Sequence, residues 1–323
     1  MTEVSGIHHI TAIAGDPQEN LDFYVGVLGL RLVKKSINQD VPDTYHLFFA
    51  DGDGHPGTDL TFFPWPGMGP GRAGASVWGE VSFAVPPGSL DYWESRLKDE
   101  GTAVGERETR FEEPVLPFTD PHGMKLALVE TTTYEGQPFT PWTASGVPAE
   151  HQIRVLSSVR LTVREAEPTV SFLAGAYGFQ QTAEEDDWVR YTVGDGAAGQ
   201  RIDIRTEPEA PRGGWGIGSV HHVAFRVSDA TDQARVRSQI LSAGAAPTQV
   251  IDRFWFKSVY TVEPSGVLCE VATDGPGFAA DEEPEHLGEK LVLPPWYESQ
   301  REAIESVLPE LRVPRGNAVS RLQ

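Results

Sequence analysis

The sequence predicts an α+β protein built from four copies of one β-α-β-β-β module. Two observations support this prediction. Four segments begin alike, with the alternation of apolar and polar residues that is typical of a half-buried strand, and each precedes a helix signal. The segments are GIHHITAIAGD (6–16), VWGEVSFAVPP (77–87), LSSVRLTVREA (156–166) and SVHHVAFRVSD (219–229).

The helix that follows each first strand has recognisable terminal signals. In the first copy Asp16 can cap the helix, Pro17 suits its first turn, and Gly29 ends it. In the second copy Ser89 precedes LDYWESRLKDEG, and in the fourth copy Asp229 precedes ATDQARVRSQILSAG. These signals predict one helix directly after each first strand.

Three further strand-like runs follow each helix, and the last run is clearest in the second and fourth copies. Residues 119–130 and 262–273 each place an acid-Pro-x-Gly turn before an alternating strand. The polar stretch 131–153 is predicted to link the second and third copies. The expected division is an N-terminal domain of two modules (1–135), a C-terminal domain of two modules (154–275) and a tail with one helix (276–323).

Composition and charge exclude several classes of function. The chain has 47 acidic and 26 basic residues and a net charge of -21, which argues against nucleic acid as a partner. No apolar run is long enough for a transmembrane helix, and the N-terminus lacks the pattern of a secretory signal. With one cysteine, Cys269, no internal disulfide can form, so we expect a cytoplasmic protein without a membrane partner. Homo-oligomerisation and salt adaptation of the acidic surface are both left open.

The repeated strands carry a family resemblance. First strands of the type HHxTxxxxD and a last strand of the type PxGxxxE resemble those of the vicinal oxygen chelate superfamily, which includes glyoxalases and extradiol dioxygenases. The resemblance covers about residues 6–275. It implies that the modules pair into two domains, whose curved, barrel-like mixed sheets enclose a metal.

The resemblance implies one complete metal site. The aligned ligand positions are His9, Glu80, Ser158 and His222 on the first strands, with Glu270 and Ala127 on the last strands of the fourth and second copies. The first and third copies show no convincing glutamate, so one complete set remains: His9, His222 and Glu270. Because neighbouring residues alternate faces, the residues alone leave open which histidine of each pair faces the metal. The resemblance indicates the second.

Two imidazoles and one carboxylate leave coordination positions free, which suits Fe(II) enzymes that bind substrate and oxygen together, and Mn(II) suits the same ligands. In the catechol extradiol dioxygenases of the superfamily all three ligands come from the C-terminal half. Here the first copy supplies His9. This pattern is similar to that of ring-cleaving dioxygenases acting on para-hydroquinones. The implied function is Fe(II)-dependent insertion of O2 into a substituted hydroquinone, with a small aromatic diol and O2 as partners.

The same resemblance implies five further site residues. Tyr260 is expected to donate a hydrogen bond or carry a proton, and His221 to act as a general acid–base. Arg253 is expected to stabilise developing negative charge, while His8 and Thr11 support the metal ligands or orient the substrate. Each has a structural alternative: the tyrosine and threonine suit any strand, the arginine could pair with a surface acid, and the histidines could face away.

Other histidines and aromatic residues carry weaker signals. His55 and His122 lie in turns, where a structural role is expected, and His46 carries no functional signal. Trp215, Trp255 and Phe254 could line an aromatic pocket, but core packing is the favoured interpretation.

Two other classes of function stay open. One is a catechol-type extradiol dioxygenase or another metal-dependent member such as a lyase or isomerase. A glyoxalase-type reaction normally requires a second carboxylate ligand, which the other last strands lack. The other class is a non-catalytic metal- or ligand-binding protein with the same fold, against which the complete set of ligands argues. The sequence does not specify the ring substituents.

Overall fold

Two curved mixed β-sheets, of eight and nine strands, form most of the chain in the computed structural model, which describes residues 3–314. All four predicted modules are present, each with a first strand, a helix and at least three further strands. The first module contains β1 (Ile7–Ala14), α1 (Pro17–Leu21), β2 (Arg31–Asn38), β3 (Val41–Ala50) and β4 (Asp59–Pro64). The second contains β5 (Trp78–Val85), α2 (Leu90–Asp99), β6 (Ala103–Val104), β7 (Glu108–Arg110), β8 (Glu113–Thr119) and β9 (Lys125–Glu130).

The second half of the chain repeats this order. The third module contains β10 (Val155–Val163), α3 (Glu167–Phe172), β11 (Gln180–Glu185), β12 (Trp188–Thr192) and β13 (Arg201–Thr206). The fourth contains β14 (Val220–Val227), α4 (Ala230–Ser242), β15 (Ile251–Asp252), β16 (Lys257–Val262) and β17 (Leu268–Thr273). The tail contains 3-10 turns at Phe278–Ala280, Pro284–His286 and Pro295–Gln300, followed by α5 (Arg301–Val307).

The modules pair across the chain rather than with their neighbours in each half. The first sheet has the strand order β15-β16-β17-β14-β1-β4-β3-β2 and joins the first and fourth modules. The second sheet has the order β11-β12-β13-β10-β5-β9-β8-β6, with β7 paired to β8, and joins the second and third modules. Each sheet therefore draws one module from each predicted domain. The division of the chain into domains at 1–135, 154–275 and 276–323 stays a prediction.

The helix ends follow the predicted capping in two modules and differ in one. The side chain of Asp16 accepts hydrogen bonds from the first turn of α1, and Asp229 does the same for α4. Ser89 does not cap α2, because Glu130 at the end of β9 accepts the hydrogen bond from the amide of Leu90 instead, at 2.7 Å. The helices α1 and α3 also continue as π-helical turns, Asp22–Val27 and Leu173–Tyr177.

Side-chain alternation separates the core from the concave face of each sheet. On β17 the buried thiol of Cys269 joins the hydrophobic core, while its neighbour Glu270 points to the opposite face. Apolar side chains on the other face of the strands pack against the helices. The concave face of the first sheet is thereby left for polar and aromatic side chains that do not pack against the helices.

The tail packs along the edge of the first sheet. The ammonium group of Lys34 on β2 is fully buried and forms ion pairs with Asp281 (2.8 Å) and Glu282 in the tail. Residues 315–323 of the predicted tail lie outside the described residues. Within 3–314, no helix combines the length and hydrophobicity needed to cross a membrane.

Candidate metal centre

The middle of the first sheet brings together the three predicted metal ligands. Strands β1 and β14 run antiparallel, and β17 lies parallel to β14 on its other side. His9, His222 and Glu270 therefore project from three adjacent strands, and one ligand atom from each lies within 4.8 Å of the others. All three side chains are buried, with exposures of 1%, 3% and 0%.

The donor atoms fit a divalent metal ion. Nε2 of His222 lies 2.9 Å from Oε2 of Glu270, and Nε2 of His9 lies 3.4 Å from the same oxygen. Within residues 3–314, neither Nε2 of His222 nor Oε2 of Glu270 has a partner with hydrogen-bond geometry. Buried polar atoms without partners are costly, and a metal bound by two imidazoles and a carboxylate would satisfy them.

Ser258 on β16 holds the carboxylate in place. Its hydroxyl donates a hydrogen bond of 2.5 Å to Oε1 of Glu270, which leaves Oε2 facing the two imidazoles. Burial raises the pKa of Glu270, but His9 and His222 outweigh burial and hold this pKa well below its usual value. The carboxylate is therefore ionised and ready to bind a cation. Ser258 could not be predicted from the sequence, because its role depends on strand pairing.

Each ligand histidine contacts the histidine that precedes it. The Nδ1 atoms of His8 and His9 are 2.9 Å apart, and those of His221 and His222 are 2.8 Å apart. Burial and the adjacent ligand histidine lower the pKa of His8 well below its usual value and that of His221 to about 3, so both rings are neutral. A proton on Nδ1 of each ligand histidine can then be donated to its neighbour, which leaves Nε2 free for the metal.

The two preceding histidines differ in their access to the cavity. His221 lines it, whereas His8 is buried and packs against Phe256, whose ring centroid is 5.3 Å away. His8 therefore contacts the site through His9 and does not face the space that is open to a substrate.

Tyr260 and Arg253 lie together on one wall of the cavity. The ring of Tyr260 packs edge-on against His222, with centroids 5.7 Å apart, and the guanidinium of Arg253 lies 5.4 Å from the centroid of the tyrosine ring. Burial, followed by Glu270, raises the pKa of Tyr260, which keeps its hydroxyl protonated. Arg253 also forms an ion pair with Asp40 at 2.8 Å. It therefore has the surface acid partner of its structural alternative and, at the same time, lines the cavity.

A hydrogen-bonded chain leads from Thr11 to His46, for which no functional role was predicted from the sequence. The hydroxyls of Thr11 and Thr61 are 2.8 Å apart, and Oγ1 of Thr61 is 2.8 Å from Nε2 of His46. His46 lines the cavity, and burial, followed by His9 and His222, lowers its pKa well below the usual value. Thr11 itself stays beneath the cavity surface and acts on it only through this chain. Alternation along β3 places His46 and Phe48 on one face, which is the only signal in the sequence that points to His46.

The cavity above these residues measures about 280 Å³ and has aromatic walls. Its apolar lining includes Phe48, Phe63, Trp255 and Phe256. The assignment of Trp215 to the core was wrong: its side chain is 49% exposed and stacks on His221, with centroids 4.3 Å apart. Trp255 is buried as expected and also lines the cavity.

Strand pairing identifies which residues occupy the Glu270 position in the other modules. In the fourth module Ala224, two residues after His222, pairs with Glu270. In the first, second and third modules, the residues two positions after His9, Glu80 and Ser158 pair with Thr61, Ala127 and Asp203, respectively. Ala127 agrees with the sequence alignment. The third module does have a carboxylate at this position, Asp203, but Arg190 binds it through two hydrogen bonds.

Comparisons with known proteins agree with this architecture. A family model described as the Glyoxalase/Bleomycin resistance protein/Dioxygenase superfamily matches residues 6–128 and 155–271. A Bacillus subtilis (strain 168) protein with the provisional name ring-cleaving dioxygenase MhqO is 44% identical over 304 residues, covering 94% of this chain and 95% of that protein. The chlorohydroquinone/hydroquinone 1,2-dioxygenase of Sphingobium indicum is 34% identical over 309 residues, covering 93% and 95%.

Solved structures extend the comparison to three dimensions. The crystal structure of a provisionally assigned dioxygenase from Bacillus subtilis matches with a TM-score of 0.92 at 42% identity, covering 98% of this chain and 100% of that chain. Glyoxalase I from Zea mays matches with a TM-score of 0.62 at 15% identity, covering 83% and 92%, which concerns the fold alone. On the family model and these relatives, the chain belongs to the Glyoxalase/Bleomycin resistance protein/Dioxygenase superfamily.

Proposed function

We propose that this chain is a ring-cleaving dioxygenase that opens the ring of a hydroquinone with O2 at an Fe(II) ion. The observation that carries the proposal is the buried set of His9, His222 and Glu270, whose ligand atoms lie within 4.8 Å of one another. The relative from Sphingobium indicum, which is named a hydroquinone dioxygenase, aligns with 93% of the chain. The provisional names of the Bacillus subtilis relatives, ring-cleaving dioxygenases, agree with this reaction class.

Fe(II) suits three ligands on one side of the ion, and Mn(II) suits the same donors. When bound, such a metal supplies a Lewis-acidic centre that lowers the pKa of a coordinated ring hydroxyl and orients the reactants. The protein contributes an ionised Glu270, fixed by Ser258, and two imidazoles oriented by their neighbours His8 and His221.

The polar wall of the cavity favours a hydroquinone over a catechol. A hydroquinone can offer one hydroxyl to the metal, because its second hydroxyl lies across the ring and must meet protein groups. Tyr260, Arg253, His46 and His221 all line the cavity and can form hydrogen bonds there. The protonated hydroxyl of Tyr260 can donate to the substrate or carry a proton, and the neutral ring of His221 can accept one.

A glyoxalase-type reaction fits the site less well. Such a reaction normally requires a second carboxylate ligand, and in the first module Thr61 occupies the position equivalent to Glu270. The hydroxyl of Thr61 is already engaged with Thr11 and His46.

Anaerobic reconstitution with Fe(II), followed by oxygen-uptake measurements with a panel of substituted hydroquinones and catechols, tests the proposal. We expect consumption of one O2 per hydroquinone, formation of a ring-opened acid, and slower turnover of catechol. Strong catechol cleavage without hydroquinone turnover would reassign the chain to the catechol class. Metal binding without oxygen uptake on any diol would instead support a non-catalytic binding protein.

A further inference from the structure

The second sheet encloses its own cavity, which lacks the metal ligands of the first. It measures about 620 Å³, within the range of roughly 300–1,000 Å³ that is typical of small-molecule sites. Its charged lining comprises four cationic side chains and two carboxylates: Arg72, Lys125, Arg160, Arg205, Glu80 and Glu207. In a chain with a net charge of -21, this excess of positive charge is a local exception.

Arginines neutralise the carboxylates that stand where the first sheet has metal ligands. Glu80, equivalent to His9, forms an ion pair with Arg110. Asp203, equivalent to Glu270, accepts hydrogen bonds of 2.7 and 2.9 Å from Arg190. Ser158 replaces the second histidine and offers no strong metal ligand. The positions equivalent to the metal ligands are therefore occupied in the second sheet by carboxylates paired with guanidinium groups and by a serine.

One guanidinium in this cavity has no ionic partner. Within the described part of the chain, the side chain of Arg160 forms neither a hydrogen bond nor an ion pair, although Asp203 is its neighbour across the strand pair β10–β13. Its guanidinium stacks on the ring of Trp188 at 4.2 Å, and Arg205 lies 4.9 Å from the same ring. Nε of Arg205 is buried and also without a hydrogen-bond partner among residues 3–314, while its other end contacts Glu207 at 3.2 Å.

We infer that this cavity is a binding site for a small organic carboxylate, with Arg160 and Arg205 as its anion-binding residues. A planar guanidinium matches a carboxylate through two parallel hydrogen bonds, and stacking on Trp188 fixes the orientation of both guanidiniums. Val77, Trp78 and Ile217 supply apolar walls, which favour an organic anion over inorganic phosphate. Binding here requires neither the metal nor the proposed reaction, although the ring-opened acid formed by that reaction belongs to the same chemical class.

Isothermal titration calorimetry with trans,trans-muconate, benzoate and inorganic phosphate tests this site in the full chain. We expect wild-type protein to bind muconate or benzoate more tightly than phosphate. Arg160→Gln should weaken carboxylate binding by about ten- to a hundredfold, the effect of losing one charge-assisted bidentate contact. Arg205→Gln should weaken it as an independent second variant, and Arg235→Gln, at an exposed arginine on α4, should have no effect.

Circular dichroism and the metal content of each variant report whether the fold and the metal centre are intact. Arg160→Gln leaves the metal centre unchanged. If a carboxylate still binds this variant with wild-type affinity, it binds at the metal centre, and the inference is overturned. A preference for phosphate over both carboxylates, or the absence of binding by wild-type protein, also overturns it. Reduced carboxylate affinity in both arginine variants, with metal content and oxygen uptake retained, supports it.

Discussion

Replacing Ser258 with alanine should weaken metal binding without removing any metal ligand. The hydroxyl of Ser258 and the carboxylate of Glu270 are both fully buried, and their hydrogen bond of 2.5 Å is the contact that keeps Oε1 away from the imidazoles. The substitution leaves Oε1 buried without this donor. The carboxylate then becomes free to turn toward Nε2 of His222, only 2.9 Å from Oε2.

The size of the effect follows from the type of bond lost. Hydrogen bonds to charged groups contribute about 1.5–3 kcal/mol, and every 1.4 kcal/mol is about tenfold in a dissociation constant. We therefore expect Ser258→Ala to weaken metal binding by about ten- to a hundredfold, in line with other residues that orient metal ligands.

Competition with a fluorescent chelator measures the metal dissociation constant directly. Ser82→Ala, at a buried serine in the second sheet, is the matched control and should bind metal as the wild type does. An unchanged dissociation constant in a correctly folded Ser258→Ala protein would refute the idea that Ser258 orients Glu270.

Three further outcomes can be measured. Glu270→Gln should lose metal and oxygen uptake, whereas Glu80→Gln, at the glutamate that pairs with Arg110 in the second sheet, should keep both; equal metal content would contradict the ligand assignment. Tyr260→Phe should keep its metal but turn over on the order of 10²-fold more slowly, and unchanged turnover would reduce Tyr260 to a packing residue. A hydrogen bond to Asp51 raises the pKa of His55 above its ordinary 6.5, so His55→Gln should lower the melting temperature below about pH 6 and lose this effect as the pH rises through the raised pKa. An equal loss at pH 6 and pH 9 would show that the stabilisation does not depend on the charge of His55.

The metal ligands could be predicted from the sequence because they occupy equivalent positions of the repeated modules, whereas Ser258 and His46 could not. His8–His9 and His221–His222 stand at equivalent places in two first strands, and the family resemblance indicates the second histidine of each pair. Ser258 and His46 have no counterparts of their own kind in the other modules. Their functional positions depend on strand register, which places β16 beside β17 and β3 beside β4.

The repeats alone leave the pairing of modules open, although the ligand set, with His9 in the first module and His222 and Glu270 in the fourth, predicts that these two modules share the metal cavity. Four similar modules can pair within each half or across the halves, because the alternation of residues in a strand does not specify its neighbour. The position of Asp203 was missed for the same reason. It aligned loosely by sequence, and only its pairing with Arg160 places it at the position of Glu270.

The contact between β1 and β14 determines when the metal centre can exist during synthesis. β1 leaves the ribosome well before β14, which follows only after two further modules have been made. The second sheet joins modules that are consecutive in the chain, so it can close first. Until β14 emerges, β1 lacks one of its two strand partners, although it is buried along its whole length in the finished protein. The first module is therefore the part of the nascent chain most in need of protection from aggregation, and a chain truncated before β14 cannot acquire its metal.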